Sequence, residues 1–116
     1  MRLKRNNDSL VLDLIGDGIN GVEFDIHLRS IKALKKFDKL YINFAYLSTV
    51  NNETINKLKK LNNVLKDKFV ALINVNPMQN AIFNLFNIDK MFQIYMNKFD
   101  AMEGKKPIVN RKFRLI

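Results

Sequence analysis

Residues 39–67 read KLYINFAYLSTVNNETINKLKKLNNVLKD. Leu40–Ala45 is almost continuously apolar, broken only by Asn43, the pattern of a strand covered on both faces or central in a sheet. The short polar run TVNNE follows. From Thr54 the period changes: Ile55, Leu58, Leu61 and Leu65 form one helical stripe, with Lys57, Lys59, Lys60 and Asn63 around the rest. This order sets a helix N-terminus, with its unpaired amide donors, at the end of a strand, where α/β domains tend to place their working surfaces. The loop itself has no glycine-rich phosphate cradle, no Cys and no His.

Before this stretch, Ser9–Ile15 (SLVLDLI) is apolar apart from Asp13 and predicts a strand closed by Gly16, Asp17 and Gly18. A short strand around Ile19–Val22 is expected to complete a hairpin with it. From Glu23 onward Phe24, Leu28, Ile31, Leu34 and Phe37 follow helical spacing, opposite Lys32, Lys35 and Lys36, which predicts the first helix. After the second helix, Phe69–Val75 reads as another buried strand, and the helix between it and Leu40–Ala45 implies a right-handed parallel crossover. Asn76 and Pro77 suit the cap and first turn of a third helix, with Ala81, Ile82, Leu85 and Phe86 expected to face inward. Phe92–Met96 predicts a last strand and Asn97–Glu103 a closing helix. Gly104 and Pro107 punctuate the end, before a basic tail.

A length of 116 residues predicts one domain with a single core, here 8–103, flanked by basic segments 1–7 and 104–116. With 47% hydrophobic residues in short runs, the globular class is favoured over disorder. No apolar run is long enough to span a bilayer, and MRLKRNNDS lacks the apolar region of a secretory signal, so a cytoplasmic location is expected. Zero cysteines exclude disulfides and thiol chemistry, and the lone His27 leaves nothing resembling a structural zinc site.

The formal charge of +9 is unevenly spread. Arg2, Lys4 and Arg5 at one end, and Lys105, Lys106, Arg111, Lys112 and Arg114 at the other, contribute +8 with no acid among them. Residues 6–103 hold the other 12 basic groups and all 11 acids, leaving +1. A nucleic-acid binder more often carries a basic face on the fold itself, so no nucleic-acid partner is expected. The sixteen asparagines and fifteen lysines also resemble the codon bias of an AT-rich genome. The tail mixes Ile108, Val109, Phe113, Leu115 and Ile116 with five cations, which suits docking on its own domain, on a partner or on an anionic surface.

Catalytic groupings are absent from the pattern. His27 has only Glu23 at helical spacing, whereas a general base needs a nucleophile and an orienting partner. Asp13 and Asp17 are explained by turn capping and solubility. Gly16, Gly18 and Gly21 do not have the spacing of a dinucleotide or phosphate loop. No enzyme activity, cofactor or metal is expected.

The element order, together with INFAYLSTVNNETINKLKKL at 42–61 and VALINVNPMQNAIFNLFNIDKMFQIYMNKFDA at 70–101, resembles the STAS domain. That module is shared by sulfate transporters and bacterial anti-sigma factor antagonists. The resemblance covers most of Ser9–Glu103 and implies an α/β fold, a mixed β-sheet with α-helices packed mainly on one face. In the antagonists, an Asp-Ser-Ser-Gly segment opens the second helix, and its phosphorylatable serine controls binding to an anti-sigma kinase. Here Asn51, Asn52, Glu53 and Thr54 stand in its place, and Asn43 stands where the strand carries an aspartate. Glu53 takes the serine position, as a carboxylate favoured by the helix dipole or as a permanent mimic of the phosphorylated state.

The resemblance thus implies a non-catalytic regulatory module that binds a protein partner, an anti-sigma kinase-like ATPase, through Ser48, Thr49, Asn51, Asn52, Glu53, Thr54, Lys57 and Lys60, with Glu53 as the switch position. The alternative is an accessory subunit of a membrane transport system that binds its cytoplasmic ATPase. A third option, a small-anion binder at the second helix N-terminus, is opposed by the carboxylate already placed there.

Overall fold

The structure, a computed structural model, describes residues 1–34 and 36–97. Its strands are β1 (Arg2–Asn6), β2 (Ser9–Gly16), β3 (Lys39–Leu47), β4 (Phe69–Ile73) and β5 (Gln93–Ile94). The helices are α1 (Gly21–Ala33), α2 (Asn52–Val64) and α3 (Pro77–Leu85), with a 3₁₀ turn at Ile88–Lys90 before β5. The sheet runs β1-β2-β3-β4-β5, with β1 antiparallel to β2 and the other neighbours parallel. Parallel strands added one after another in a single direction, each through a right-handed crossover, put every connecting helix on the same side.

Alternation along the strands matches that prediction. Leu10, Leu12 and Leu14 of β2, Leu40, Ile42 and Phe44 of β3, and Leu72 of β4 join Phe24, Leu28 and Ile31 of α1, Ile55, Leu58 and Leu61 of α2, and Phe83 of α3 in the main core. The intervening residues Val11, Tyr41, Ala71 and Ile73 form a smaller cluster with Tyr95 on the opposite face. Phe44 and Phe83 meet edge to face, centroids 5.1 Å apart, and pin α3 to β3. Truncating a fully buried residue such as Leu58 to Ala removes about 2–5 kcal/mol.

Asparagine does more here than codon bias requires. All three described α-helices have an Asn N-cap, Asn20, Asn51 and Asn76, each accepting from the backbone N–H three residues on. The three described non-glycine residues with positive φ are also asparagines, Asn7, Asn74 and Asn87, a conformation Asn tolerates better than most residues.

Several expectations are corrected. The hairpin partner of β2 is not Ile19–Val22: Asn20 caps α1, which starts at Gly21, and the hairpin forms instead with β1 across the two-residue turn Asn7–Asp8. Residues 1–7 are therefore not a basic flank, since Arg2–Asn6 is a strand of the sheet. Phe37 is buried but lies beyond the end of α1. β4 ends at Ile73 because Asn74 turns left-handed. The inward side of α3 is Gln79 and Phe83, whereas Leu85 is 76% exposed and Ala81 and Phe86 also face solvent, with Ile82 half-buried. The last strand is only Gln93–Ile94. Apart from Asn97, the closing helix expected over Asn97–Glu103 and the tail 104–116 lie outside the described residues.

Candidate functional site

Asn43 shapes the approach to the loop after β3. Its Oδ1 accepts from the N–H of Ala45 at 3.0 Å, and the β2–β3 register slips there: Asp13 faces Asn43, but Ile15 faces Tyr46. This is a β-bulge, a device that re-aims a strand near its end. The N–H of Ser48 donates to the carbonyl of Gly16 at 2.9 Å, so the loops that follow β2 and β3 lie side by side at the carboxyl ends of those strands.

The start of α2 is closed by a capping box. Asn51 Oδ1 accepts from Thr54 N–H at 3.0 Å, and Thr54 Oγ1 accepts from Asn51 N–H at 3.4 Å. Within the first turn, Glu53 extends toward the first residue of α1: a Cβ added to Gly21 would stand 2.0 Å from Glu53 Oε1. A side chain at Gly21 would therefore have to displace the Glu53 carboxylate, the tip of a flexible side chain, and Gly18 leaves room for the Asn51 amide, 3.0 Å from the corresponding Cβ position. The Glu53 carboxylate sits near the amino ends of two helices at once, where the backbone dipoles favour negative charge.

The anticipated site residues separate into two groups. Ser48, Thr49, Asn51, Asn52 and Glu53 are exposed, with the buried Val50 between Thr49 and Asn51. Thr54 is fully buried, its hydroxyl spent on the capping box, and so belongs to the scaffold. Lys57 is mostly covered and donates to both oxygens of Asp25 on α1, at 3.1 and 2.9 Å, while lying 3.9 Å from Glu53. Lys60, half exposed, also donates to Asp25 at 3.0 Å. These two lysines are therefore not a freely solvated face; they fasten α2 to α1. The hydrogen bonds from Lys57, then Lys60, hold the Asp25 carboxyl below the usual carboxylate range.

Asp13 is not a turn residue. It lies inside β2 with no exposure, its Oδ2 3.0 Å from Arg2 Nη2 and 3.1 Å from Lys4 Nζ, and its Oδ1 accepting from Asn43 Nδ2 at 2.9 Å. Burial acts to raise its pKa. The hydrogen bonds from Asn43, Lys4 and Arg2 outweigh burial and lower it below the ordinary value. Asn74 Nδ2 in turn donates to Asn43 Oδ1 at 2.8 Å, extending the polar chain to the end of β4.

Asp17 stays exposed in the turn after β2, and His27 is half-buried on α1. Among the described residues no group of three His, Cys, Asp or Glu side chains could hold a metal ion, and no helix is long and apolar enough to cross a membrane. Sequence reasoning passed over Asp25 and Gln79, and it weighed Gly18 and Gly21 only as turn residues or a phosphate loop, not as points of close approach to α2. Gln79 Oε1 accepts from Asn76 N–H at 3.0 Å, and its Nε2 donates to the carbonyl of Leu47 at 3.0 Å, tying the start of α3 to the end of β3. The Asn-x-x-Gln spacing of a capping box was the available signal for that residue.

No protein-family model matches the chain, and no curated protein matches it. Solved structures do. The NMR structure of the protein TM1081 superposes with a TM-score of 0.72 at 19% identity, over 87% of this chain and 84% of that one. The crystal structure of TM1081 from Thermotoga maritima, described as a proposed anti-sigma factor antagonist, gives 0.70 at 16% identity, over 89% and 92%. The anti-sigma factor antagonist SpoIIAA in its unphosphorylated form gives 0.68 at 16% identity, over 94% and 98%. The chain accordingly has the STAS-like α/β fold seen in these structures, a mixed five-stranded sheet with its helices on one face.

Proposed function

We propose that this chain is a non-catalytic regulatory module that works by docking a protein partner, in the manner of an anti-sigma factor antagonist whose serine switch is absent. The docking surface is the exposed run Ser48, Thr49, Asn51, Asn52 and Glu53 with the adjoining side of α2, where Lys57 and Lys60 are anchored on Asp25. Thr54 and Asn43 support that surface from beneath. Its exposed polar groups and lack of a nucleophile–base pair suit recognition rather than turnover.

The observation that carries this reading is the placement of Glu53, a fixed negative charge at the amino ends of α1 and α2, at the position the resemblance gives to the phosphorylatable serine. SpoIIAA exists in a form named as unphosphorylated, and a carboxylate held at the corresponding place makes the state of this chain permanent rather than switched. The partner proposed is an anti-sigma kinase-like ATPase. Binding of such a purified ATPase to the wild-type chain and to Glu53→Lys, measured by calorimetry, tests it. Affinity lost on charge reversal supports the reading, and equal affinity moves the interface elsewhere. Selective binding of a transporter ATPase instead would replace it with the transport-subunit alternative.

A further inference from the structure

Between α1 and α2 runs an open groove of about 390 Å³. Its floor is apolar, made by the buried Leu28 of α1 and the half-buried Val64 of α2, with the exposed Val22 at one mouth. Its rim is cationic: Arg29 and Lys32 follow each other at i and i+3 along α1, and Lys60 stands on α2. Asp25 is the one acid in the lining, and its carboxylate already accepts from Lys57 and Lys60. Among the described residues Arg29 and Lys32 have no carboxylate partner, and both are exposed. The groove therefore combines uncompensated positive charge with an apolar strip.

We infer that this groove docks an acidic amphipathic helix of a protein partner, its apolar side chains entering over Leu28 and Val64 and its carboxylates meeting Arg29 and Lys32. The dimensions agree. Val22 to Lys32 spans about 15 Å of helix axis, nearly three turns, which suits anchors at i, i+4 and i+7 of a docked helix. Charge complementarity selects the acidic sequence and repels a basic one. A lipid surface fits less well, because the apolar floor is recessed between two helices rather than protruding. The inference goes beyond the docking surface proposed above, with which it shares only Lys60.

The test is an NMR titration of the full chain with a synthetic helical peptide of about 14 residues carrying Leu at i, i+4 and i+7 and Glu between, with a Lys-for-Glu peptide as control. Shift changes centred on Val22, Leu28, Arg29, Lys32 and Val64 are expected with the Glu peptide alone. The double variant R29E/K32E, on exposed positions, should keep its spectrum and lose affinity by about tenfold or more. Glu53→Lys should leave peptide affinity unchanged. Shift changes confined to 48–53 or 104–116, undiminished binding by R29E/K32E, or full competition by phosphatidylglycerol vesicles would each overturn the assignment.

Discussion

Asn43 on β3 donates its side-chain amide to the buried carboxylate of Asp13 on β2, Nδ2 to Oδ1 2.9 Å, on the sheet face that carries no helix. The same Asn43 carries the bulge through its carbonyl oxygen, so one side chain links the only fully buried charge of β2 to the geometry of the Ser48–Glu53 loop. Replacing Asp13 by Ala leaves Asn43, Arg2 and Lys4 without their acceptor. Loss of a buried, charge-assisted acceptor of this kind costs about 1–3 kcal/mol, read as a lowered midpoint in urea unfolding.

The same carboxylate sets a pH dependence. Its pKa in the folded chain is lowered, so the unfolded chain binds more protons near that range and Asp13 stabilises the fold fully at neutral pH. Its contribution is lost as pH falls below the ordinary carboxylate value and through the lower folded value. Unfolding curves from pH 7 downward should show this loss in the wild type and a shallower one in Asp13→Asn. Parallel pH profiles for the two proteins would contradict it.

Asp25 gives a site-resolved check on the α1–α2 clamp. Carboxyl NMR titration should place its pKa below the usual range in the wild type, and Lys57→Gln should move it upward, since the Lys57 hydrogen bond is the largest influence on it. An unmoved titration in that variant would mean that the two helices are not joined through this pair.

Gly21 and Glu53 should be coupled. Gly→Ala in a helix is ordinarily favourable by up to about 1 kcal/mol, but here the new methyl displaces the Glu53 carboxylate. The Gly21→Ala substitution is therefore expected to be more favourable in a Glu53→Ala background than in the wild type. A double-mutant cycle with zero coupling would show that Glu53 does not lie over α1.

Periodicity made the central elements legible, because buried strands and amphipathic helices advertise themselves through apolar spacing: β3, α2 and the Asn76–Pro77 start of α3 were readable. The one-sided helix layer was implied by the STAS resemblance and not by apolar spacing. β1 was not readable, since RLKRN offers only Leu3 to the core and reads as a charged terminus; its pairing is decided by Asp13 across the hairpin. The face of α3 was misread because the doublets Ala81–Ile82 and Leu85–Phe86 look like a core stripe. The rotation of that helix is fixed instead by Gln79, whose bond to Leu47 turns Phe83 onto Phe44. At the candidate site the loop was legible as a strand–helix junction, but the approach of Glu53 to Gly21 and the grip of Lys57 on Asp25 join residues 32 apart in sequence, and no local pattern encodes them.

In the proposed function, the loop before α2 and the first turns of that helix dock a protein partner through the charge at Glu53. Affinity purification from the native organism, with wild-type and Glu53→Lys chains as parallel baits and identification of retained proteins by mass spectrometry, tests it most directly. A histidine-kinase-like ATPase is expected to be held by the wild type and lost with Glu53→Lys. The same ATPase retained equally by both baits, or a transporter ATPase recovered in its place, would contradict it.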